Sequence, residues 1–300
     1  VPPWLATALQ QGVAVVRWCA AGVAHTHELD QPDRAISAQG LRATWRWRRT
    51  DTGIRLWVEL ANDGADPLAL EWVDVLSLPE SVLVSPPTTW SVYQHGWASW
   101  TPTFARHLGQ SLYTDPGTPA YRAAHQPHWE PGSDGLISSE WVTVLTDRRR
   151  AVLLGFVTAR DQLGELRVRA DGAGLVARCH FDGALLDPGA TARSEVLLLR
   201  AGEDPLALLE EWAAEMGREM AARTPVAPPS GWCTWYYFYG ENTAQDVLDN
   251  VAAMDDYELP LDVVLLDDGY QTAVGDWFST DAEKFPQGIA PLAQAVRATG

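Results

Sequence analysis

Lysine is almost missing from this 300-residue chain: Lys284 is the single one, and every other Lys/Arg position is an arginine. With abundant alanine, that reads as the codon bias of a GC-rich genome rather than a fold signal. Positive charge is scarce altogether. Lys and Arg number 22 against 39 Asp and Glu, a net charge of −17 at pH 7, which argues against a nucleic-acid phosphate partner, since that wants a basic face. Cysteine is sparse too. Cys19, Cys179 and Cys233 lie far apart with no C-x-x-C pair, which argues against a disulfide framework and for a reducing compartment. The longest apolar runs, such as Val263 to Leu266 and Val196 to Leu199, fall far short of the ~20 residues of a membrane helix. No G-x-S-x-G, H-E-x-x-H, P-loop or G-x-G-x-x-G occurs, so the common local signatures of hydrolase, metalloprotease and nucleotide chemistry are absent. The expectation is a cytoplasmic globular protein without cofactor, metal, nucleic-acid or membrane partner. The first residue is Val1 rather than Met, which leaves secretion behind a removed leader open.

Tryptophan, by contrast, is plentiful, at 15 residues. Most tryptophans fill cores, but the ring is also a natural platform for the apolar face of a pyranose, being flat and apolar with one polar handle.

Three hundred residues favour two domains. The first two hundred read as antiparallel β. Trp45 and Trp47 alternate with Arg46 and Arg48, a turn follows at Thr50–Gly53, and Ile54, Leu56, Val58 and Leu60 then alternate with Arg55, Trp57 and Glu59. Period two on both sides of turn residues predicts a hairpin. Further strands are expected at Val13 to Trp18, Trp141 to Thr146, Val152 to Thr158, Leu163 to Arg169, Leu175 to Phe181 and Ala192 to Leu199. Many short strands at such spacing imply a β-sandwich. Asp204-Pro205 has the form of an N-cap followed by Pro at the first helical position, and Leu209, Trp212, Ala213, Met216 and Met220 form a helical stripe. A proline-rich linker, Thr224 to Pro229, marks the expected boundary. Residues 1–224, with a linker helix at about 204–223, make one domain, and 225–300 the next.

Beyond it the pattern becomes strand, helix, strand, helix. Gly231 to Tyr237 reads as the first strand, Thr243-Ala244-Gln245-Asp246 as a capping box with Asp in place of Glu, and Val247, Leu248, Val251 and Met254 as a helix face. Val263 to Leu266 is continuously apolar, as expected of a parallel strand covered on both sides. Ile289, Leu292, Ala293 and Val296 form a second helix face, with Gly300 placed as its cap. This is the opening of a (β/α)8 barrel or a doubly wound sheet, truncated after about two βα units.

Ligands of such folds sit at the C-terminal ends of the strands. Trp235 and Tyr236 come late in the first expected strand, and Asp267 and Asp268 end the second. Two carboxylates where the chain turns through Gly269 suit a neutral polyhydroxylated ligand, since each hydroxyl can donate to an ionised acceptor. The plainer reading is that Asp268 caps an Asp-Gly turn, and spacing does not separate the two. The run Tyr93 to Pro102 carries Trp97 and Trp100 between Gly and Pro boundaries and reads as a loop, where Trp-x-x-Trp is better explained by local packing. His25-x-His27 offers two imidazoles on one strand face but no third ligand. Asp276 and Glu283 have no role that spacing assigns.

Together these motifs resemble glycoside hydrolase family 36, the α-galactosidases, and bacterial members in particular. The matching pieces are Gly96-Trp97-Ala98-Ser99-Trp100-Thr101-Pro102, Gly231-Trp232-Cys233-Thr234-Trp235-Tyr236, Asp267-Asp268-Gly269-Tyr270, Gly275-Asp276-Trp277 and Phe285-Pro286. Ala98 stands where Gln is usual, and Thr234 where Ser is usual. The resemblance implies an N-terminal β-supersandwich followed by a (β/α)8 TIM barrel and a small C-terminal β domain. It implies a retaining glycosidase that removes terminal α-linked galactose from melibiose- or raffinose-type sugars. One Asp would form the covalent intermediate and a second would act as acid/base, the two carboxyls about 5–5.5 Å apart. Both would lie beyond Gly300, so no catalytic residue is expected in this chain, which would be the inactive N-terminal part of its parent. Asp267 and Asp268 would bind the O4 and O6 hydroxyls of galactose, and Trp235 would line that subsite. Trp100 would reach over the barrel mouth, within one chain or across a homo-oligomer interface, and Trp277 would be a lesser contact. The same scaffold would suit an α-N-acetylgalactosaminidase or the galactosyl transfer of raffinose synthases. A reading of a different class is a non-catalytic carbohydrate-binding module.

Overall fold

The structure, a computed structural model, describes residues 6, 9–51, 53–78, 86–96, 103–108, 135–172, 174–224, 227–259 and 261–299. The chain divides into two compact units, Val1–Ala222 and Arg223–Gly300.

The first unit is antiparallel β. Its strands are β1 (Val13–Ala20), β2 (Val23–Leu29), β3 (Ala35–Ala38), β4 (Leu41–Thr50), β5 (Gly53–Asn62), β6 (Leu68–Leu78), β7 (Ser91–Gln94), β8 (Phe104–His107), β9 (Leu136–Glu140), β10 (Val142–Thr146), β11 (Ala151–Phe156), β12 (Leu163–Arg169), β13 (Leu175–Leu186), β14 (Thr191–Arg193) and β15 (Leu197–Gly202). One sheet runs β2-β1-β6-β13-β12-β9. The other runs β3-β4-β5-β15-β11-β10-β7-β8, with β14 also on β5. Side chains from both sheets share one core, so the layers stack as a sandwich. The hairpin alternation holds: Ile54, Leu56, Val58 and Leu60 are buried, and the register pairs Trp45 with Val58 and Trp47 with Leu56. Trp45 and Trp47 meet edge to face at 5.2 Å. Each large side chain sealed in such a core contributes about 1.5–3 kcal/mol.

Two expectations need correction here. The strand expected at Ala192 to Leu199 breaks into β14 and β15. Between them the Ser194 hydroxyl accepts the Val58 N–H at 2.9 Å. The Glu195 carboxylate turns inward and accepts the backbone N–H groups of Arg160, Asp161 and Gln162. Likewise, Tyr93 and Gln94 end strand β7 instead of opening a loop.

Helix α1 (Pro205–Glu219) starts as expected, with Asp204 accepting from the N–H groups of Leu206 and Ala207. Its buried face differs from the expected stripe: Leu208 and Glu215 are buried and Ala213 is exposed. Leu208 packs among buried apolar side chains of the sheet, with Leu209 and Trp212 against them, while Arg55 donates to Glu215 at 2.6 Å and to Glu219 at 2.8 Å. Trp212 lies over Gly155, where a Cβ would come within 2.5 Å of the indole, and its Nε1–H donates to the Phe156 carbonyl.

The second unit contains β16 (Gly231–Cys233), a single helical turn α2 (Trp235–Phe238), a 3-10 turn at Tyr239–Glu241, α3 (Ala244–Asp256), β17 (Val263–Leu265) and α4 (Ile289–Ala298). β16 and β17 pair in parallel, Gly231 with Val263 and Cys233 with Leu265. The capping box forms: Asp246 N–H donates to the Thr243 hydroxyl and Thr243 N–H to the Asp246 carboxylate. Val247, Val251, Phe285 and Leu292 make a small core, with Trp232, Val264, Leu266 and Ile289 against it. The face expected for α4 is therefore the one used, while Gly300, expected as its cap, lies outside the described residues.

The first strand is shorter than expected and ends at Cys233. Thr234 N–H still donates to the Leu265 carbonyl, but the following aromatics coil into α2, where Tyr237 and Phe238 stack edge to face at 4.8 Å and Trp235 and Tyr239 at 5.4 Å. Trp235 thus stands on a helical turn after the strand, not within it. The apolar run of β17 is also not covered on both sides within its unit, since Val263 is 45% exposed and Leu265 51%.

Candidate functional site

The ends of β16 and β17 are tied together by one side chain. Thr234, fully buried, accepts the Asp267 N–H at 3.0 Å through its hydroxyl. Through this oxygen Thr234 joins the start of α2, where Trp235 stands, to Asp267 just after β17. Asp267 takes the Asp268 N–H on Oδ1 at 2.8 Å, and the Cys233 thiol lies 3.4 Å from its Oδ2. Burial, and then the Asp267 carboxylate, hold that thiol above its ordinary pKa, so it remains a protonated donor.

Asp268 does not cap its own turn. Its Oδ1 accepts from Gln271 Nε2 at 2.6 Å, and it is Gln271 Oε1 that takes the Gly269 N–H, at 2.8 Å. An ionised carboxylate offers about four acceptor positions. Each carboxyl here is only part-buried and uses one or two of them among the described residues. The pair therefore retains acceptor capacity at the strand end for ligand hydroxyls. The Asp-Gly turn needs Gly269 for another reason: its φ is +109°, and a Cβ would meet the Gly240 carbonyl at 2.5 Å and the Asn242 amide nitrogen at 2.7 Å.

Of the residues singled out from sequence, Asp267, Asp268 and Trp235 gather at this strand end. Trp235 is 37% exposed. Trp277 is 62% exposed and tied to the same segment by the Tyr270 hydroxyl, which donates to its carbonyl at 3.2 Å. Trp100 lies outside the described residues, as does the rest of Trp97 to Pro102. Asp276 and Glu283 are exposed turn residues, engaged through the Asp276 carbonyl and the Glu283 N–H. In the first unit, His25 sits against Trp18, ring to ring at 5.4 Å. No cluster of three or more metal-ligating side chains occurs among the described residues. Sequence reasoning overlooked Asn242, Gln271 and Lys284, which hold the turn. Only Gln271, directly after the Asp-Asp-Gly-Tyr run, carried any signal.

Comparison with known proteins places this site in context. The family described as raffinose synthase or seed imbibition protein Sip1 matches residues 196–293. A galactinol–sucrose galactosyltransferase of rice (Oryza sativa subsp. japonica) is 35% identical over 96 residues, 29% of this chain and 12% of that protein. The fold is similar to the family 36 α-galactosidase AgaA of Geobacillus stearothermophilus, at TM-score 0.54 and 16% identity over 87% of this chain and 36% of that one. The chain shares its fold with family 36 α-galactosidases, and residues 196–293 carry the raffinose synthase match. An α-galactosidase from Lactobacillus brevis has a similar fold as well, with TM-score 0.54 and 16% identity over 96% of this chain and 37% of that one. The chain thus spans little more than a third of these solved relatives. No helix among the described residues is long and apolar enough to cross a membrane.

Proposed function

We propose that this chain supplies the galactose-binding edge of a retaining α-galactosidase, with Asp267 and Asp268 receiving the O4 and O6 hydroxyls and Trp235 lining the same subsite. The observation that carries the reading is the pair of part-buried carboxylates, with acceptor positions to spare, at the end of β17. They lie inside the segment that matches the raffinose synthase family. The parallel β16–β17 pair joined through α3 supports reading 225–300 as the start of a (β/α)8 barrel, following the sandwich of 1–224. In this reading Trp277 is a lesser contact of the same sugar, and the substrate is an oligosaccharide. One similar structure, of a variant of the Geobacillus enzyme, was solved with raffinose and another with stachyose. The nucleophile and acid/base are not assigned to any residue of this chain.

The test is binding and turnover by the purified 300-residue chain. Titration with D-galactose should shift the amide signals of Asp267 and Asp268 and the Trp235 indole, while D-glucose, whose O4 is equatorial, should leave them in place. Aryl α-galactoside hydrolysis should stay at the buffer blank. Equal responses to both sugars would remove the O4 assignment, and steady hydrolysis would return the search for a nucleophile to Asp276 and Glu283.

A second reading is favoured by one observation: the sequence matches are to the raffinose synthase or seed imbibition protein family and to a galactinol–sucrose galactosyltransferase, although the fold matches are to α-galactosidases. In that reading the same edge holds a galactosyl group delivered to a sugar acceptor. The discriminating experiment compares free galactose with galactosylated sucrose as products of a longer protein carrying these residues.

A further inference from the structure

The turn that carries Asp268 is held by two side chains acting in the same way on consecutive backbone groups. Asn242 Nδ2 donates to the Tyr239 carbonyl at 2.9 Å and to the Asp268 carbonyl at 2.6 Å. One residue further along each segment, Lys284 Nζ donates to the Gly240 carbonyl at 2.7 Å and reaches the Gly269 carbonyl at 3.5 Å. Two successive carbonyls after β17 are thereby bridged to two successive carbonyls after α2. The close approach is what forces glycine at 269, since any Cβ would strike both Gly240 and Asn242.

Both bridging residues direct their donors at backbone carbonyls. Asn242 is 0% exposed and leaves its Oδ1 without a hydrogen-bond partner, an unfavourable arrangement for a buried amide. Lys284 is the only lysine in the chain. Its ammonium is directed at carbonyls and makes no ion pair with Asp267 or Asp268 among the described contacts. An ammonium offers three donors from a single point, which suits convergence on two carbonyl oxygens from different segments.

We propose that Asn242 and Lys284 are positioning residues that fix the direction of the Asp268 carboxylate by clamping the two successive carbonyls that follow its Cα, its own and that of Gly269. The proposal deepens the galactose-binding reading and rests on it for the ligand, but the clamp itself is a property of the turn. Binding groups must be held to within a fraction of an ångström by their supporting shell to be effective, so loosening the clamp should weaken sugar binding without emptying the fold.

The experiment uses the ¹⁵N-labelled 300-residue chain, D-galactose as probe, and the variants Lys284→Met and Lys284→Arg. In Lys284→Met the hydrogen exchange of the Asp268 and Gly269 amides should accelerate, galactose affinity should fall by about tenfold or more, and the α3 amides of Val247 and Val251 should keep their positions. Lys284→Arg, which retains donors at nearly the same reach, should recover most of the affinity. A Lys284→Met chain that melts earlier but binds galactose as the wild type does would reduce Lys284 to a structural strut and overturn the proposal. If the wild type shows no response to galactose, the sugar reading falls. Exchange at Asp268 and Gly269 then decides the clamp alone, and unchanged exchange in Lys284→Met rejects it.

Discussion

Trp18, Trp45 and Trp90 of the first unit are sealed from solvent, whereas Trp235 and Trp277 of the second stand partly or largely exposed, together with Tyr236, Tyr237, Tyr239 and Phe278. Charged groups divide the same way. In the sandwich, Asp74 is gripped by both nitrogens of an Arg178 fork at 2.6 and 3.0 Å, and that guanidinium lies 3.7 Å above the Trp72 ring. Glu165 is met by Arg167, His180 and Ser138. In the second unit Asp267 and Asp268 accept little and keep acceptor positions open. One residue type therefore serves two purposes, and burial separates them. Aromatic and acidic side chains sealed in the sandwich build the fold, and those left partly exposed at a strand end are the candidates for binding.

The largest expected effect breaks this comparison if it appears in both units. Trp45→Ala should cost the first unit about 3–5 kcal/mol, the usual penalty for a large aromatic lost from a packed core. Trp235→Ala should cost the second unit only about 0.5–1.5 kcal/mol, the worth of its edge-to-face pair with Tyr239. Chemical denaturation of the two variants checks this, and similar losses would mean that Trp235 is a core residue after all. Next in size is Asp268→Asn. A hydrogen bond to a charged acceptor contributes about 1.5–3 kcal/mol, so galactose affinity should drop by roughly 10- to 150-fold while the melting temperature stays near that of the wild type. A lowered melting temperature with unchanged affinity would make the pair a turn device.

The buried acids of the sandwich sharpen the contrast through pH. Glu140 and Glu165 face each other across β9 and β12, and both are buried. Burial, reinforced by the Glu165 charge and only partly offset by Arg167, raises Glu140 from 4.5 to about 8. Burial would raise Glu165 too, but the His180 hydrogen bond, the Arg167 charge and the Ser138 hydroxyl outweigh it and bring that carboxyl down to about 2. The folded state therefore keeps the Glu140 proton where the unfolded chain has lost it. Its contribution is fully present below about pH 4.5 and is lost as pH rises through about 8. The Glu165 contribution is present above about 4.5 and is lost as pH falls through about 2. Glu140→Gln keeps the neutral form at every pH, so its stability relative to wild type should rise by about 1 kcal/mol or more between pH 5 and pH 8. A pH-independent difference would remove the buried-proton account.

How far this contrast was legible in the sequence depended on locality. Period two in β4 and β5 and the Asp204-Pro205 and Thr243–Asp246 caps are local patterns, and all of them form. β6 escaped notice because Leu68–Leu78 is largely buried on consecutive positions and shows no clean alternation. β9 escaped because its Ser138, Ser139 and Glu140 look like solvent-facing polar residues but enter the buried network of the sandwich. At the candidate site, Asp267, Asp268 and Trp235 were visible by residue type and place. Asn242 and Lys284 were not, because they act on backbone carbonyls 26 and 44 residues away in sequence. The helical turn at Trp235 was hidden for a similar reason: an aromatic run has strand propensity, and ring-to-ring contacts across α2 override it.

The smallest effect asks whether the two units stand independently. Thr243 satisfies the N–H of Asp246 with its hydroxyl, while the Asp246 carboxylate returns a bond to the N–H of Thr243. Removing the hydroxyl with Thr243→Ala takes away a cap worth about 1 kcal/mol and leaves the sandwich core untouched. α3 supplies Val247 and Val251 to the small core that also holds Phe285 and Leu292, so the loss should fall on the whole second unit. Hydrogen exchange read residue by residue is the fitting measurement. Amides of α3, α4 and β17 should exchange about fivefold faster, the factor that 1 kcal/mol implies, while those of β5, β11 and β13 keep their wild-type rates. Acceleration in both groups would mean that the units unfold as one cooperative body, and the division between closed sandwich and open strand end would then describe exposure without describing stability.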